Sequence, residues 1–208
     1  NPLGAISHAA QLLQESEELD GPDRRLAQII QDHSRRMNLV IENVLQLSRR
    51  RQAEPQLLDL KYWLHRFASE FRQGLGPQQT LHLDTVGSSL QTRMDPNQLT
   101  QVLTNLVQNG LRYSGQQNPR AQVWLRLFRD EASDLPIVEV LDDGPGIAAE
   151  QLQNIFEPFF TTESKGTGLG LYISRELCES NQARLDYRER PEGGSCFRIV
   201  FAHPRKLS

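Results

Sequence analysis

Residues 23–51 carry an apolar stripe whose spacing constrains the fold more than any other feature of this sequence. Its members alternate steps of four and three residues, which is the period of a coiled-coil seam, and they are Leu26, Ile30, His33, Met37, Val40, Val44 and Leu47. A shorter helical stripe precedes it at Leu3, Ile6, Ala10 and Leu13. The break at Asp20-Gly21-Pro22 between the stripes predicts an antiparallel helical hairpin. A lone hairpin cannot hide two seams, so we predict a four-helix bundle formed by dimerisation.

The charged segment Arg49–Pro55 ends the hairpin, and we place a domain boundary between residues 53 and 54. Beyond it, Asp59 and Asp95-Pro96 are predicted to cap two helices, and alternating hydrophobicity predicts strands in mixed order with them. This order favours an α+β fold in which a layer of helices packs on one mixed sheet. The predicted helices span residues 60–71, 96–113, 148–155 and 169–180. The predicted strands span residues 80–86, 121–129, 137–141, 183–190 and 196–202.

Composition excludes some classes of protein. The net charge of −3 gives no basic surface for direct nucleic-acid binding. No apolar run approaches the roughly 18 residues of a membrane span. The two cysteines lie far apart and in no metal spacing, which suits a reduced, cytosolic setting. The chain begins at Asn1-Pro2-Leu3 already in a helical pattern, so we expect its first helix to be truncated.

The predicted helix at 96–113 places two amides and a guanidinium on one face. Asn105 and Asn109 are four residues apart, and Arg112 follows one turn later. These groups can hold phosphate oxygens and a magnesium ion, because magnesium prefers oxygen ligands shared with phosphates. A polar, solvated helix face remains the alternative interpretation.

The predicted strand at 137–141 runs into Asp142-Asp143-Gly144-Pro145-Gly146. A carboxylate at the strand end can accept a hydrogen bond from an exocyclic amine such as that of adenine, and the two glycines let a base lie flat against the backbone. An ordinary Asp-Gly-Pro-Gly turn is the alternative.

A glycine-rich segment, Thr161–Leu171, precedes the predicted helix at 169–180. Glycines allow close approach of the backbone to a phosphate, and a helix N-terminus presents free N–H groups to it. The polar part from Thr161 to Lys165 predicts a flexible lid, from which Lys165 could reach a terminal phosphate. The later Gly193–Phe197 segment is equally consistent with a hairpin turn.

Taken together, these segments resemble, in order and spacing, the N, G1, F, G2 and G3 boxes of sensor histidine kinases. Asn1–Ile6 is similar to the end of that family's H box. The resemblance covers the whole chain. It implies a dimerisation and histidine-phosphotransfer hairpin at 1–53, followed at 54–208 by a catalytic sandwich domain of the histidine kinase, gyrase and chaperone ATPase type. Asn181–Arg184 and the tail Phe201–Ser208 are similar to sensors of type IV pilus two-component systems.

The resemblance implies ATP and Mg²⁺ as cofactors and assigns roles by position. Asn109 would ligate the metal, Asn105 would act beside it in catalysis, and Asp142 would read the adenine amine. The residues implied to bind ATP are Asn105, Asn109, Arg112, Tyr113, Asp142, Gly144, Gly146, Ile147, Thr161, Lys165, Gly166, Thr167, Gly168, Leu169, Gly170 and Ser195. Asn1 matches a position that the family links to dephosphorylation of the response regulator.

The family's phospho-accepting histidine lies four residues before the position of Asn1, and its acidic neighbour precedes Asn1 as well. Neither is in this chain, so we expect the chain alone to bind ATP and dimerise without autophosphorylating. His8 lies off its helical stripe, and His33 is interpreted as a packed seam residue at the wrong level of the hairpin. Neither is expected to substitute as the acceptor.

The resemblance also implies partners and a location. They are a second copy through the hairpin, the receiver domain of a response regulator, and a membrane reached only through segments upstream, as in the cytoplasmic part of a bacterial inner-membrane sensor. Two alternatives remain. An ATP-hydrolysing clamp of the gyrase or chaperone type would need a glutamate where this chain has Asn105. A phosphatase-only module would retain Asn1 without the acceptor.

Overall fold

The computed structural model describes residues 2–15, 20–48, 53–85, 87–163 and 166–203. The chain forms two compact units. The first contains Asn1–Arg50 and Glu157–Leu169, and the second contains Arg51–Phe156 and Gly170–Ser208.

The first unit contains the predicted hairpin, formed by α1 (Pro2–Glu15) and α2 (Gly21–Ser48). Oδ1 of Asp20 accepts a hydrogen bond from the amide of Asp23 at 2.9 Å, which caps the start of α2. The helix therefore begins at Gly21, two residues before the predicted start. Pro22 lies in the first turn, where its missing N–H leaves no hydrogen bond broken.

The hairpin buries a different stripe from the predicted seam. Among the hairpin side chains that the structure describes, the buried ones are small or polar, and they are Ala10, Ala27, Gln31 and Ser34. The apolar stripe predicted from the sequence stays outside: Leu26, Ile30 and Met37 are 56%, 44% and 47% exposed. His33, interpreted as a packed seam residue, is exposed in the single chain. The side chains of Val40, Val44 and Leu47 lie outside the described part of α2.

The second unit is built on a five-stranded mixed sheet in the order β2-β4-β5-β7-β6. Strand β2 runs parallel to β4, and the other neighbours are antiparallel. The strands are β2 (Gln79–Thr85), β4 (Ala121–Arg129), β5 (Pro136–Asp142), β6 (Arg184–Glu189) and β7 (Ser195–Val200). The sequence did not predict a separate antiparallel pair, formed by β1 (Gln56–Asp59) and β3 (Gln91–Met94).

Three helices belong to this unit: α3 (Leu60–Arg72), α4 (Pro96–Gln117) and α5 (Gly170–Ser180). Asp59 and Asp95 cap α3 and α4 through their side chains, as predicted. Helix α4 packs on β4 and β5 and against α5, so it lies over the middle of the sheet. The predicted α+β arrangement of a hairpin followed by a helix-on-sheet sandwich is confirmed.

The helix predicted at 148–155 is largely wrong. Only a 3₁₀ turn, Ala149–Gln151, forms there, followed by further turns. Ala148 at its start has no side-chain oxygen to cap the free amides, which removes a stabilising contribution that α3 and α4 have. Over the described residues, no helix is both long enough and apolar enough to cross a bilayer.

Candidate functional site

Helix α4 carries the polar face predicted from the sequence. Nδ2 of Asn105 donates to Oγ of Ser174 on α5 at 3.0 Å. One turn later, Oδ1 of Asn109 accepts from Nη2 of Arg112 at 3.2 Å. The same guanidinium lies 4.9 Å from the ring centroid of Tyr113. Side-chain oxygens and a cation therefore share one side of the helix, while its apolar side is buried.

Helix α5 begins directly against this face. A Cβ on Gly170 would collide with Oδ1 of Asn105, so the first turn of α5 can approach α4 only because position 170 has no side chain. Together with the Asn105–Ser174 hydrogen bond, this contact fixes the N-terminus of α5 beside Asn105.

The carboxyl group of Asp142, at the end of β5, is almost completely buried with 4% exposure. Its Oδ1 accepts from the amides of Gly144 at 2.9 Å and Ser195 at 3.2 Å. The backbone oxygen of Asp142 accepts from Nη1 of Arg190 at 2.5 Å. A carboxylate has about four acceptor positions, so the two amides leave capacity for a ligand amine.

Burial raises the pKa of Asp142 above its ordinary value of 3.8, because it removes water from the charged form. The hydrogen bonds from Gly144 and Ser195 and the charge of Arg190 act in the opposite direction. The net shift is upward, so the buried site favours the protonated form of this carboxyl group more than water does.

Glycines bring three backbone segments together around Asp142. Gly144 lies so close to Tyr113 that a Cβ would be 2.9 Å from its carbonyl carbon. Gly146 and Gly194 both have positive φ, at +74° and +84°, and a Cβ on Gly146 would be 3.2 Å from the Gly194 oxygen. Ile147 follows this contact and is partly exposed.

A second set of contacts ties the end of β5 to α4. Oγ of Ser114 donates to Oδ1 of Asp143 at 2.5 Å and accepts from the amide of Gln122 at 2.7 Å. Nδ2 of Asn118 donates to the backbone oxygen of Asp143 at 3.1 Å. Sequence reasoning missed these residues and Arg190. Their only signal is a position next to a motif, and a lone serine or arginine there has many other uses.

The predicted residues of the glycine-rich segment, from Thr161 to Leu169, lie in Glu157–Leu169, which belongs to the other unit. The amide of Glu163 donates to Oγ1 of Thr161 at 3.1 Å, and the amide of Gly166 donates to the oxygen of Glu163 at 3.2 Å. The amide of Leu169 donates to Oγ1 of Thr167 at 3.4 Å. Gly168 has a φ of +68°. The segment is thus held by its own turns.

The structure brings ten predicted residues together in the second unit: Asn105, Asn109, Arg112, Tyr113, Asp142, Gly144, Gly146, Ile147, Gly170 and Ser195. It describes Thr161, Gly166, Thr167, Gly168 and Leu169 within the separate segment. Asn1 and Lys165 lie outside the described residues. Within the described part of the chain, no group of three or more His, Cys, Asp or Glu side chains is arranged to hold a metal ion.

Comparison with known protein families identifies both regions. Residues 94–205 match the family described as histidine kinase-, DNA gyrase B-, and HSP90-like ATPase. Residues 1–53 match the His Kinase A (phospho-acceptor) domain. The helix-on-sheet fold and the site at Asp142 therefore define a nucleotide-binding domain of the ATPase class named by the first family. Within that class, the chain belongs to the sensor histidine kinases.

Individual relatives agree with this assignment. The chain is 75% identical over 208 residues to the sensor protein kinase PilS of Pseudomonas aeruginosa, covering all of this chain and 39% of PilS. It is 36% identical over 207 residues to the sensory histidine kinase/phosphatase NtrB of Rhodobacter capsulatus, covering 96% of this chain and 58% of NtrB. The chain thus spans less than two thirds of either relative.

Two solved structures share the fold. The histidine kinase ThkA, in complex with the response regulator protein TrrA, has a TM-score of 0.71 and 24% identity, covering 100% of this chain and 59% of that one. Full-length ShkA in complex with AMPPNP has a TM-score of 0.66 and 19% identity, covering 99% of this chain and 44% of that one.

Proposed function

We propose that this chain is the kinase core of a two-component sensor. It binds ATP, transfers the γ-phosphoryl group to a histidine of an H box, and passes it to an aspartate of a response regulator. The observation that carries this proposal is the buried carboxyl group of Asp142, fixed by two amides within reach of the polar face of α4. The 75% identity to PilS extends the proposal to control of type IV pilus gene transcription.

The base and the phosphates occupy opposite ends of the site. Asp142 accepts the exocyclic amine of adenine, and the backbone at Gly144 and Gly146 lies against the ring with Ile147 and Ser195. Tyr113 lies beside Gly144, where a Cβ on the glycine would be 2.9 Å from its carbonyl carbon, and in this proposal Tyr113 and Arg112 contact ribose and phosphate. The repulsion expected between a phosphate and a buried carboxylate supports this division.

The phosphate end suits a magnesium ion. Asn109 offers an amide oxygen on an accessible helix face, and Asn105 offers a second one beside the start of α5. Amide oxygens fit the preference of Mg²⁺ for hard oxygen ligands, with Asn109 as the protein ligand. Bound there, the ion would neutralise charge on the phosphate oxygens.

By resemblance to the family, we assign phosphate binding to the backbone of the glycine-rich segment at Gly166, Gly168 and Gly170. Lys165 would neutralise the terminal phosphate. Thr161, Thr167 and Leu169 support the segment through its turns. Transfer then needs little more than in-line positioning of the histidine, because phosphoryl transfer is catalysed chiefly by orientation and charge neutralisation.

The hairpin at 1–53 provides dimerisation and phosphotransfer, and residues 54–208 provide catalysis. Support comes from the family match to 1–53 and from the exposed stripe of Leu26, Ile30 and Met37, which a second copy would cover. A response regulator would dock on the hairpin, with Asn1 orienting water during dephosphorylation. We place this core in the cytoplasm, below the inner membrane of a bacterium.

The alternative of an ATP-hydrolysing clamp requires a general base for water. Asn105 occupies that position, and an amide cannot take up a proton at neutral pH. Its Nδ2 is moreover bound to Ser174, which turns the amide toward α5.

Three chains test the proposal. The 208-residue chain is expected to bind ATP but to incorporate no label on histidine from [γ-³²P]ATP. A chain extended by His and Glu, four and three residues before Asn1, is expected to become labelled, and the same extension with Gln in place of His is not. Label on a histidine of the unextended chain would overturn the inference that this chain lacks an acceptor. Absence of label on the extended chain, or steady ATP hydrolysis abolished by Asn105→Ala, would overturn the kinase assignment.

A further inference from the structure

The side chain of Tyr187 lies on the same face of the sheet as Asp142. Tyr187 in β6 pairs with Phe197 in β7, and Phe197 pairs with Val140 in β5. Val140 and Asp142 are two residues apart in one strand, so their side chains point to the same face. The rings of Tyr187 and Phe197 confirm the placement, with centroids 5.5 Å apart in an edge-to-face arrangement.

The Tyr187 hydroxyl is buried, although its ring is partly exposed. Among the residues that the structure describes, it has no hydrogen-bond partner. A buried tyrosine hydroxyl normally has one, because leaving it without one is energetically unfavourable. The empty protein therefore holds this donor in an unfavourable position that a ligand can relieve.

The surroundings of this hydroxyl belong to the base end of the site. Burial raises the pKa of Tyr187, which keeps the phenol neutral and able to donate. The amide of Ile147 and the hydroxyl of Ser195 do not meet hydrogen-bond geometry but are near enough to the phenol to lower the same pKa, and the charge of Asp142 raises it. Neither Tyr187 nor any of these three residues belongs to the phosphate end of the site on α4.

We propose that the Tyr187 hydroxyl donates a hydrogen bond to N1 of the adenine ring, directly or through one water molecule, and so selects adenine over guanine. This inference rests on the proposed function. On its Watson–Crick edge, adenine presents an amine donor beside the N1 acceptor, and Asp142 and Tyr187 offer the complementary acceptor and donor. Guanine presents a carbonyl oxygen and an N1–H there, so both protein groups would face the wrong partner.

The test compares ATP with 1-deaza-ATP, in which a C–H replaces N1, by titration calorimetry. The wild-type chain is expected to bind ATP about fivefold more tightly than 1-deaza-ATP, the ratio for one neutral hydrogen bond. Tyr187→Phe should bind ATP about fivefold more weakly and 1-deaza-ATP as the wild type does. It should also discriminate less strongly against GTP.

Tyr62→Phe is the matched control, because it removes a hydroxyl from a tyrosine that is 71% exposed on α3. An equal loss for both ligands in Tyr187→Phe, or no loss for either, overturns the inference. ATP binding by Asp142→Asn distinguishes failure of the Tyr187 contact from failure of the proposed function. ATP binding that depends on Asp142 but not on the Tyr187 hydroxyl refutes the contact alone. A wild-type chain that binds no ATP refutes the proposed function as well.

Discussion

The backbone amide of Ser195 donates to Oδ1 of Asp142 at 3.2 Å, across 53 positions of sequence. This hydrogen bond joins the final hairpin of the sheet to the end of β5. It helps to fix the orientation of the carboxyl group that we propose accepts the adenine amine. The amide of Gly144 donates to the same oxygen, so both hydrogen bonds would have to break before the carboxyl group could rotate.

Replacing Asp142 by Asn should weaken ATP binding about 10- to 100-fold, because a hydrogen bond to a charged group contributes about 1.5–3 kcal/mol. The amide still accepts from Gly144 and Ser195 through its oxygen, but it then presents an N–H₂ donor to the adenine amine. Titration calorimetry measures the loss, with the exposed Asp84→Asn as the control. Equal affinity in the wild type and Asp142→Asn would contradict the role of this carboxyl group.

The raised pKa of Asp142 predicts a pH dependence of stability. Between 3.8 and the raised value, the folded protein binds more protons than the unfolded chain. The free energy of unfolding contributed by this group is therefore greatest below 3.8 and falls as the pH rises through the window. Asp142→Asn removes the titration, so its stability relative to the wild type should rise from acid to neutral pH. Urea unfolding of the two nucleotide-free chains measures the difference in their free energies of unfolding. The prediction is wrong if the stability of Asp142→Asn relative to the wild type falls or stays constant as the pH rises.

Two glycines of α4 should respond oppositely to alanine. A Cβ on Gly110 would lie 2.7 Å from Cγ2 of Val123, whereas on Gly115 it would lie 3.6 Å from Cβ of Ala121, an ordinary contact. Gly110→Ala should lower the free energy of unfolding by about 1–3 kcal/mol through overpacking. Gly115→Ala should raise it by about 0.5–1 kcal/mol through helix propensity. Denaturant titration distinguishes the two variants. A gain in stability for Gly110→Ala would contradict overpacking and show that β4 shifts to accommodate the added methyl group.

The exposed stripe of α2 should hold two copies together. Ile30→Glu puts a charge in the middle of this stripe and should convert the dimer to a monomer without changing the helical content. Leu57→Glu is the matched control, since Leu57 is equally apolar and 52% exposed but lies in β1. Light scattering after gel filtration gives the mass, and dimers that persist in Ile30→Glu would exclude this face from the interface.

Local chemistry made several elements predictable from the sequence. Asp95-Pro96 gave the start of α4 correctly, because a capping carboxylate and a proline in the first turn act within a few residues. The carboxylate at the end of β5 was predictable for a similar reason, since strand, acid and glycines are adjacent in the chain.

Features that depend on distant partners were not predictable. β1 and β3 are each four residues long, and what stabilises them is their mutual pairing across more than thirty residues. Arg190 reaches Asp142 only because β6 and β7 return beside β5. The hairpin shows a related limit. Its period was clear, but the buried stripe of Ala27, Gln31 and Ser34 lies one position from the apolar stripe, and small or polar residues give no hydropathy signal.

The long span between Asp142 and Ser195 has a consequence for how the protein is made. During synthesis on a ribosome, β4 and β5 emerge well before β7, and until β7 arrives the buried carboxyl group lacks one of its two amides. Nucleotide therefore cannot assist the early stages of folding, and a nascent chain stalled before residue 195 should not capture ATP. The site is therefore complete only after residue 195 has been synthesised and β7 has joined β5.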